Sequence, residues 1–405
     1  VTRGQQDLEY DRVTVTLILA FCVLVAGLSL NAVLAEVRSE LHLSATMTTL
    51  HGSMFGIGLL IAGLVGRPVV THVGRKKTLY LSVVLTFVGI TTFSAGHRVQ
   101  LTLLGAGAIA VGAAMIVMVA PGIIADHHGE QRGAALAAIN GIPGLVAVPI
   151  AIALGIVIGA GASWRTPYFL IGALMLLLVL ITGLPARLPA TTSTTTTATA
   201  SELRRERPVS PINLLIQRPD VRWFWFITMI AVLTEFPPGV WCSTYLHEVG
   251  GASSGLASGL SCVYGVGLFC SRMFLPRLLR RFGTRLRSAG LMTMAVSAVS
   301  LWSVPVLWVR VVALFIMGIG AGPLYPVSID DLFKVDGVDT VALGAVGALA
   351  SGTAITIGPL MFGVIADSIS LRHAALVVPV MALTVIALMR RHASAPTPAI
   401  IDLAT

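Results

Sequence analysis

The sequence predicts an all-α integral membrane protein, with twelve transmembrane helices in two pseudo-symmetric six-helix bundles. Three observations carry that prediction. The 405 residues are 56% hydrophobic and only 11% charged, against about 25% charged in soluble domains, which leaves too little polar surface to coat a water-soluble body. The apolar residues fall in blocks of about 20, the length that crosses a hydrocarbon core. Lys and Arg gather in alternate inter-block loops, as they do when one side of a bilayer is cytoplasmic.

The blocks, numbered here as spans 1 to 12, are 13–35, 47–69, 76–95, 100–125, 133–159, 165–184, 222–246, 254–277, 286–305, 309–330, 341–366 and 372–390. The first also has a signal-peptide outline, with Val33-Leu34-Ala35 as a cleavage site. However, Asp7, Glu9 and Asp11 dilute its basic start, and the block is long enough to cross, so it is read as span 1. The 41 glycines and 20 prolines, many of them within the blocks, are tolerated better in membrane helices than in soluble ones. With both ends on one side, all but five of the 27 Lys and Arg fall on that side; the exceptions are Arg38, Arg98, Arg165, Arg310 and Arg372. Both termini are therefore expected in the cytoplasm, and the protein in the cell (inner or plasma) membrane. The net charge of +9 then orients the chain and implies no nucleic-acid partner. Cys22, Cys242, Cys262 and Cys270 lie in spans without C-x-x-C spacing and read as buried thiols.

Residues 1–184 form the expected N-terminal bundle, 185–221 a disordered cytoplasmic linker, 222–390 the C-terminal bundle and 391–405 a cytoplasmic tail. The linker follows from its Thr/Ala tract, "TTSTTTTATA", which has nothing to bury. The halves echo each other. "THVGRKK" follows span 2 with its glycine at 74, and "RRFGTRLR" follows span 8 with its glycine at 283, an offset of 209. The first spans of the halves begin at 13 and 222, again 209 apart, which points to duplication of a six-helix unit.

This organisation resembles the major facilitator superfamily. Gly74, Arg75 and Lys76 match the end of its G-x-x-x-[DN]-[RK]-x-G-[RK]-[RK] loop, but Thr71 stands at the acid position and Arg67 at the leading glycine. In the second half Arg281 and Gly283 fit, while Arg280 and Pro276 depart. "SWRTPYFLIGAL" (163–174) and "IGPLMFGVIAD" (357–367) resemble its stretches at helices 6 and 11. The resemblance implies a transporter, not an enzyme, working as a monomer on a small molecule. It implies a latch in which Arg75, Lys76 and the Arg277–Arg287 cluster dock on the inner ends of spans 4 and 10, with Asp126, Asp330 and Asp331 as partners. It also implies that span 8 faces span 5, and span 2 faces span 11. Gly251, Gly255 and Gly259, like Gly52 and Gly56, are then candidates for an outer gate, since small residues let membrane helices pack closely.

The chemistry centres on "ITMIAVLTEFPPGVW", residues 227–241. Glu235 lies 13 residues into span 7, about 20 Å from its inner end. An ionisable residue at that depth is by default a functional one, and apolar surroundings favour its neutral form, so it is a candidate for proton exchange. Arg272, counted about 7 Å from the inner end of span 8, is expected to lie roughly 12 Å away along the membrane normal, too far to pair. Pro237 and Pro238 remove donors from the carbonyls of Leu233 and Thr234, so span 7 should kink or unwind beside Glu235. Trp241, Asn31, His51, Asn140, Tyr325 and Thr353 are further candidates for a cavity, with Tyr325, between Pro323 and Pro326, near the inner gate.

"DHHGE" (126–130) has metal-binding residue types but no second ligand pair, and reads as solvated loop histidines; no metal or cofactor is expected. No G-x-x-x-x-G-K-[ST] loop is present, which disfavours ATP-driven transport. The family's drug–proton exporters carry a helix 4 arginine and a G-P pair in helix 5; here the positions read Ala106 and "NGIPGLVAVP". The expectation is a proton-coupled secondary carrier in the lipid bilayer working by alternating access. Export of amphipathic neutral or cationic compounds stands first. Proton-linked uptake of a small organic anion is the alternative, and a receptor or intramembrane enzyme a distant third.

Overall fold

A computed structural model describes residues 10–128, 131–183, 211–338 and 340–393, helical throughout with no strand among them. The tail beyond 393 and most of the expected linker lie outside the described residues. Span 1 is two helices, α1 (Arg12–Leu28) and α2 (Leu30–Leu41). Spans 2 to 6 are α3 (Ala45–Val73), α4 (Arg75–Ala95), α5 (Val99–His128), α6 (Arg132–Gly159) and α7 (Arg165–Thr182). A short helix, α8 (Pro211–Gln217), precedes span 7, α9 (Pro219–Glu248). Span 8 is α10 (Ser254–Gly259), a 3-10 turn at Leu260–Cys262, α11 (Val263–Met273) and α12 (Leu275–Phe282). Spans 9 and 10 are α13 (Leu286–Ser303) and then α14 (Leu307–Ala321) with α15 (Leu324–Phe333). Spans 11 and 12 are α16 (Thr340–Ser368) and then α17 (Leu371–Ala374) with α18 (Val377–Ala393).

Among the described residues eleven helices are long and apolar enough to cross a membrane. Span 9 is the twelfth, made less apolar by Arg287, Ser288, Ser297, Ser300 and Ser303. Twelve crossings bring residues 10 and 393 to one end of the bundle, called here the terminal face. The expected linker needs one correction. Its last residues, 211–221, are ordered, as α8 and the start of α9, because Leu214 buries against Val221, Leu332, Leu343 and Val346 at the ends of spans 7, 10 and 11.

In lipid each backbone donor needs an internal partner, and helices supply it. Side-chain oxygens of Asp11, Ser44, Ser253 and Ser370 start α1, α3, α10 and α17 by accepting from Thr14, Met47, Leu256 and His373 N–H. Buried hydroxyls such as Thr16, Ser82 and Thr86 bond the carbonyl four residues back. The repeated loop glycines have a conformational reason. Gly74 (φ 87°) and Gly283 (φ 50°) end α3 and α12 with positive φ, where a side chain is strained.

Spans 8 and 10 pack backbone to backbone through Gly267 and Gly318. A Cβ on Gly318 would run into the Tyr264 carbonyl, and one on Gly267 into that of Phe315. Gly318→Val should therefore destabilise the folded chain by about 1–3 kcal/mol. Gly63→Ala, where a Cβ meets nothing within 4 Å, should leave stability unchanged or raised. Thermal unfolding in detergent compares the two.

Candidate functional site

Between the halves lies a cavity of about 800 Å³. Span 1 lines it with Val25, Leu28, Ser29 and Asn31, and span 5 with the stretch from Asn140 to Ala151. Span 7 contributes Gly239, and span 8 contributes Ser261, Cys262, Tyr264, Phe269 and Arg272. Its wall contains the interruption of span 1 at Ser29 and the 3-10 turn of span 8. Irregular backbone at membrane depth is tolerated where it lines such a space. Asn31 places its side-chain oxygen, buried and without a hydrogen-bond partner, at the head of α2.

Arg272 and Glu235 form an ion pair at one wall, with Arg272 Nη2 2.5 Å from Glu235 Oε1. Arg272 lines the cavity with 38% of its side chain exposed, and Glu235 sits behind it at 12%. The expected gap between them is not found: from α11 the Arg272 side chain reaches the Glu235 carboxylate directly. Arg272 Nε also donates to the Gly322 carbonyl at 3.1 Å. Pro326 has no N–H to offer that carbonyl, so the break in span 10 between Ala321 and Leu324 holds the guanidinium in place. The Tyr264 hydroxyl donates to the backbone carbonyl of Glu235. Glu235 Oε2 is buried with no partner.

Span 7 does not unwind. It remains helical from Pro219 to Glu248 across Pro237 and Pro238, buttressed where Gly358 of span 11 lets Pro237 and Leu233 approach its backbone. Other expected positions also move. Trp241 is buried inside the C-terminal half against Phe362, ring centroids 5.1 Å apart, away from the cavity. His51 is buried in the N-terminal half, bonded to Thr102 Oγ1 and the Met47 carbonyl at 2.9 Å each. Tyr325, the second residue of α15 and three residues from Gly322, packs with Val232, Ala354 and Ile355 beside the ion pair.

The halves meet at the end away from the terminal face. Arg38 pairs with Glu248 at 2.8 Å. Asp367 of span 11 accepts from Ala45 and Thr46 N–H and the Thr46 hydroxyl at the head of α3, at 2.6–2.8 Å. Ser243 Oγ donates to the Asn31 carbonyl at 2.8 Å. A Cβ on Gly255 would lie 2.5 Å from Gly159 Cα and N, and one on Gly155 would lie 2.7 Å from Gly259 Cα. Gly56 abuts Thr356 and Gly352 of span 11, and Gly52 abuts Val240 of span 7. Asn140, by contrast, is exposed within the cavity, so the space is open toward the terminal face. Asp367→Ala should loosen this seam, and faster amide exchange at the start of α3 measures it.

At the terminal face the ion pairs lie within each half. Arg75 pairs with Asp126, and Arg287 with Asp331. Each arginine opens the span after a positive-φ glycine, and each acid ends the next span. Lys334 bridges Asp330 and Asp331, whose hydrogen bonds hold its ammonium above the usual lysine range. Lys76 follows Arg75 in the first turn of α4. Arg281 lies over the Phe282 ring, not on either acid. His127 and His128 end α5 and are half-buried, not loop residues.

The sequence reading missed Tyr264, Asn31's partner Ser243 and the opposing glycines Gly155 and Gly159. Only the last had a signal, a four-residue glycine spacing on span 5.

Two six-helix halves around a central cavity define a membrane transporter, and the sequence places it among relatives. The Major Facilitator Superfamily profile matches residues 16–337, and the chain belongs to that family; it is a transporter, not an enzyme. It is 23% identical over 292 residues to a probable sugar efflux transporter of Mannheimia succiniciproducens, covering 67% of this chain and 66% of the relative. The chain thus spans just under two thirds of that curated relative's length. In fold it is similar to a bacterial homologue of the human lysosomal transporter Spinster, described as inward-facing and unoccupied. The TM-score is 0.77 and the identity 16%, covering 97% of this chain and all of that one. It is also similar to the nucleoside transporter NupG, with a TM-score of 0.71 and 15% identity, covering 94% of this chain and 98% of that one.

Proposed function

We propose that the chain is a proton-coupled secondary carrier that exports a small neutral, amphipathic organic solute through the cavity between its halves. The observation that carries this reading is the Arg272–Glu235 pair in the cavity wall. While Glu235 is charged the pair is electrically neutral, and the remaining wall is mostly apolar, with Ser29, Asn31, Asn140, Ser261, Cys262 and Tyr264 as polar points. Such a wall suits a solute with an apolar body and a few hydroxyls or amides. Uptake of a proton by Glu235 frees the guanidinium and changes the solute site, which couples the two. The relative named for sugar efflux supports a neutral solute and the outward direction. The excess of Lys and Arg at the terminal face supports placing that face in the cytoplasm, in the plasma membrane. The state described here is then open to the cytoplasm.

A second reading rests on the same arginine. With Glu235 protonated, Arg272 offers a cation to the cavity, as proton-linked uptake of an organic anion would need. A thermal-shift panel of neutral solutes, cations and organic anions at acidic and neutral pH separates the readings, because a ligand that binds the folded state raises its melting temperature. Stabilisation by neutral amphiphiles, weaker in acid, is the result expected. Stabilisation by anions alone, stronger in acid, replaces the first reading with the second.

A further inference from the structure

The "DHHG" run lacked a second ligand group in the sequence, and the fold supplies one. Asp11, at the head of α1, meets His127 and His128 at the end of α5, more than a hundred residues later. One ligand atom from each of the three residues lies within 4.8 Å of the other two. His127 Nε2 is 2.5 Å from Asp11 Oδ2. Thr14 Oγ1 bridges Asp11 and His128, 2.7 Å from Asp11 Oδ1 and 2.6 Å from His128 Nε2.

We propose that Asp11, His127 and His128 form a site for a divalent transition-metal cation of the zinc class on the terminal face. Two imidazole nitrogens and one carboxylate oxygen are the donor types that zinc takes, with bonds of about 2.0–2.2 Å and a fourth position left to water. Four-coordinate ligands of that bond length stand about 3–4 Å apart, so the cluster closes on a cation by small side-chain movements. Charge favours it as well. The neighbouring acid Asp126 is neutralised by Arg75, whereas the ion-pair partner of Asp11 among the described residues is His127. Arg12, next in sequence, turns away to the Thr182 carbonyl. All three residues are only half-buried, which leaves a path for the ion. Occupied, the site ties the start of span 1 to the end of span 4 beside the Arg75–Asp126 pair.

The test uses the untagged full chain in detergent, stripped with a chelator and titrated with Co²⁺, whose visible absorption reports low-coordinate ligation, and then with Zn²⁺. The expected result is one cobalt per chain, displaced stoichiometrically by zinc, and a zinc-dependent rise in melting temperature. His128→Ala and Asp11→Asn should each weaken binding at least tenfold, since loss of a partner behind a ligand alone costs about 10–100-fold. Asp11→Asn keeps an oxygen to cap Thr14, so it separates ligation from folding. His72→Ala, on an exposed histidine bonded to Pro68, should change nothing. Absence of the cobalt band, or equal binding by wild type and both site variants, would overturn the proposal and leave the cluster an ion pair at a helix start.

Discussion

Replacing Arg272 by methionine is expected to stop proton-driven transport and to lower the stability of the folded chain. Methionine keeps most of the stem's volume while removing both the cation facing Glu235 and the donor to the Gly322 carbonyl. Breaking a buried ion pair from one side costs about 3–5 kcal/mol, because the other charge is left uncompensated. Water reaches Arg272 from the cavity, so the loss here should fall below that range. The double variant Arg272→Met with Glu235→Gln removes both charges. It should recover most of the stability and none of the proton-driven transport, and a double-mutant cycle on melting temperatures measures the coupling. If the two changes simply add, the pair carries no coupling and the cavity wall is organised by something else.

Gly255→Val is expected to have the second large effect, at the opposite end. Its Cβ would sit 2.5 Å from the backbone of Gly159, in a seam where neither helix has a side chain to move aside. The seam then has to part, and transport should fall at least about tenfold, the equivalent of 1.4 kcal/mol. Overpacking of this kind costs about 1–3 kcal/mol, and the chain can relieve it by opening the far face. Cys262 lines the cavity and reports which way it opens. In a chain keeping Cys262 as its single cysteine, an impermeant maleimide should label from the terminal side in the parent and from the far side in Gly255→Val. A lower melting temperature with unchanged labelling would make the seam static packing and not a gate.

The twelve spans and their two-bundle grouping were legible because composition and block length act over 20 residues at a time and tolerate local error. Gly74 and Gly283 were legible because a positive φ leaves a residue-type mark. Glu235 stood out because a carboxylate in an apolar run is rare. What surrounds it was not legible. Pairing with Arg272 depends on where span 8 ends, and a few residues' error in that boundary is several ångströms along the normal. The prolines of span 7 suggested a kink or an unwound turn, yet the chain stays helical across them, while the helix of span 1 is interrupted at Ser29 with no proline at all. Trp241 and His51 show the limit of depth as a guide, since depth does not say which way a helix face points. The meeting of Asp11 with His127 is a matter of tertiary packing alone.

The central claim is that Glu235, through Arg272, is where proton and solute are coupled. Its most direct test is Glu235→Gln in proteoliposomes, using the solute that stabilises the parent chain most strongly in the thermal-shift panel. Solute exchange at equal pH on both sides should survive, because the cavity and its wall remain. Accumulation driven by a pH difference should be lost, and the residual rate should no longer depend on pH. Accumulation at the parent rate, with the parent's pH dependence, would contradict the account and move the proton to another group.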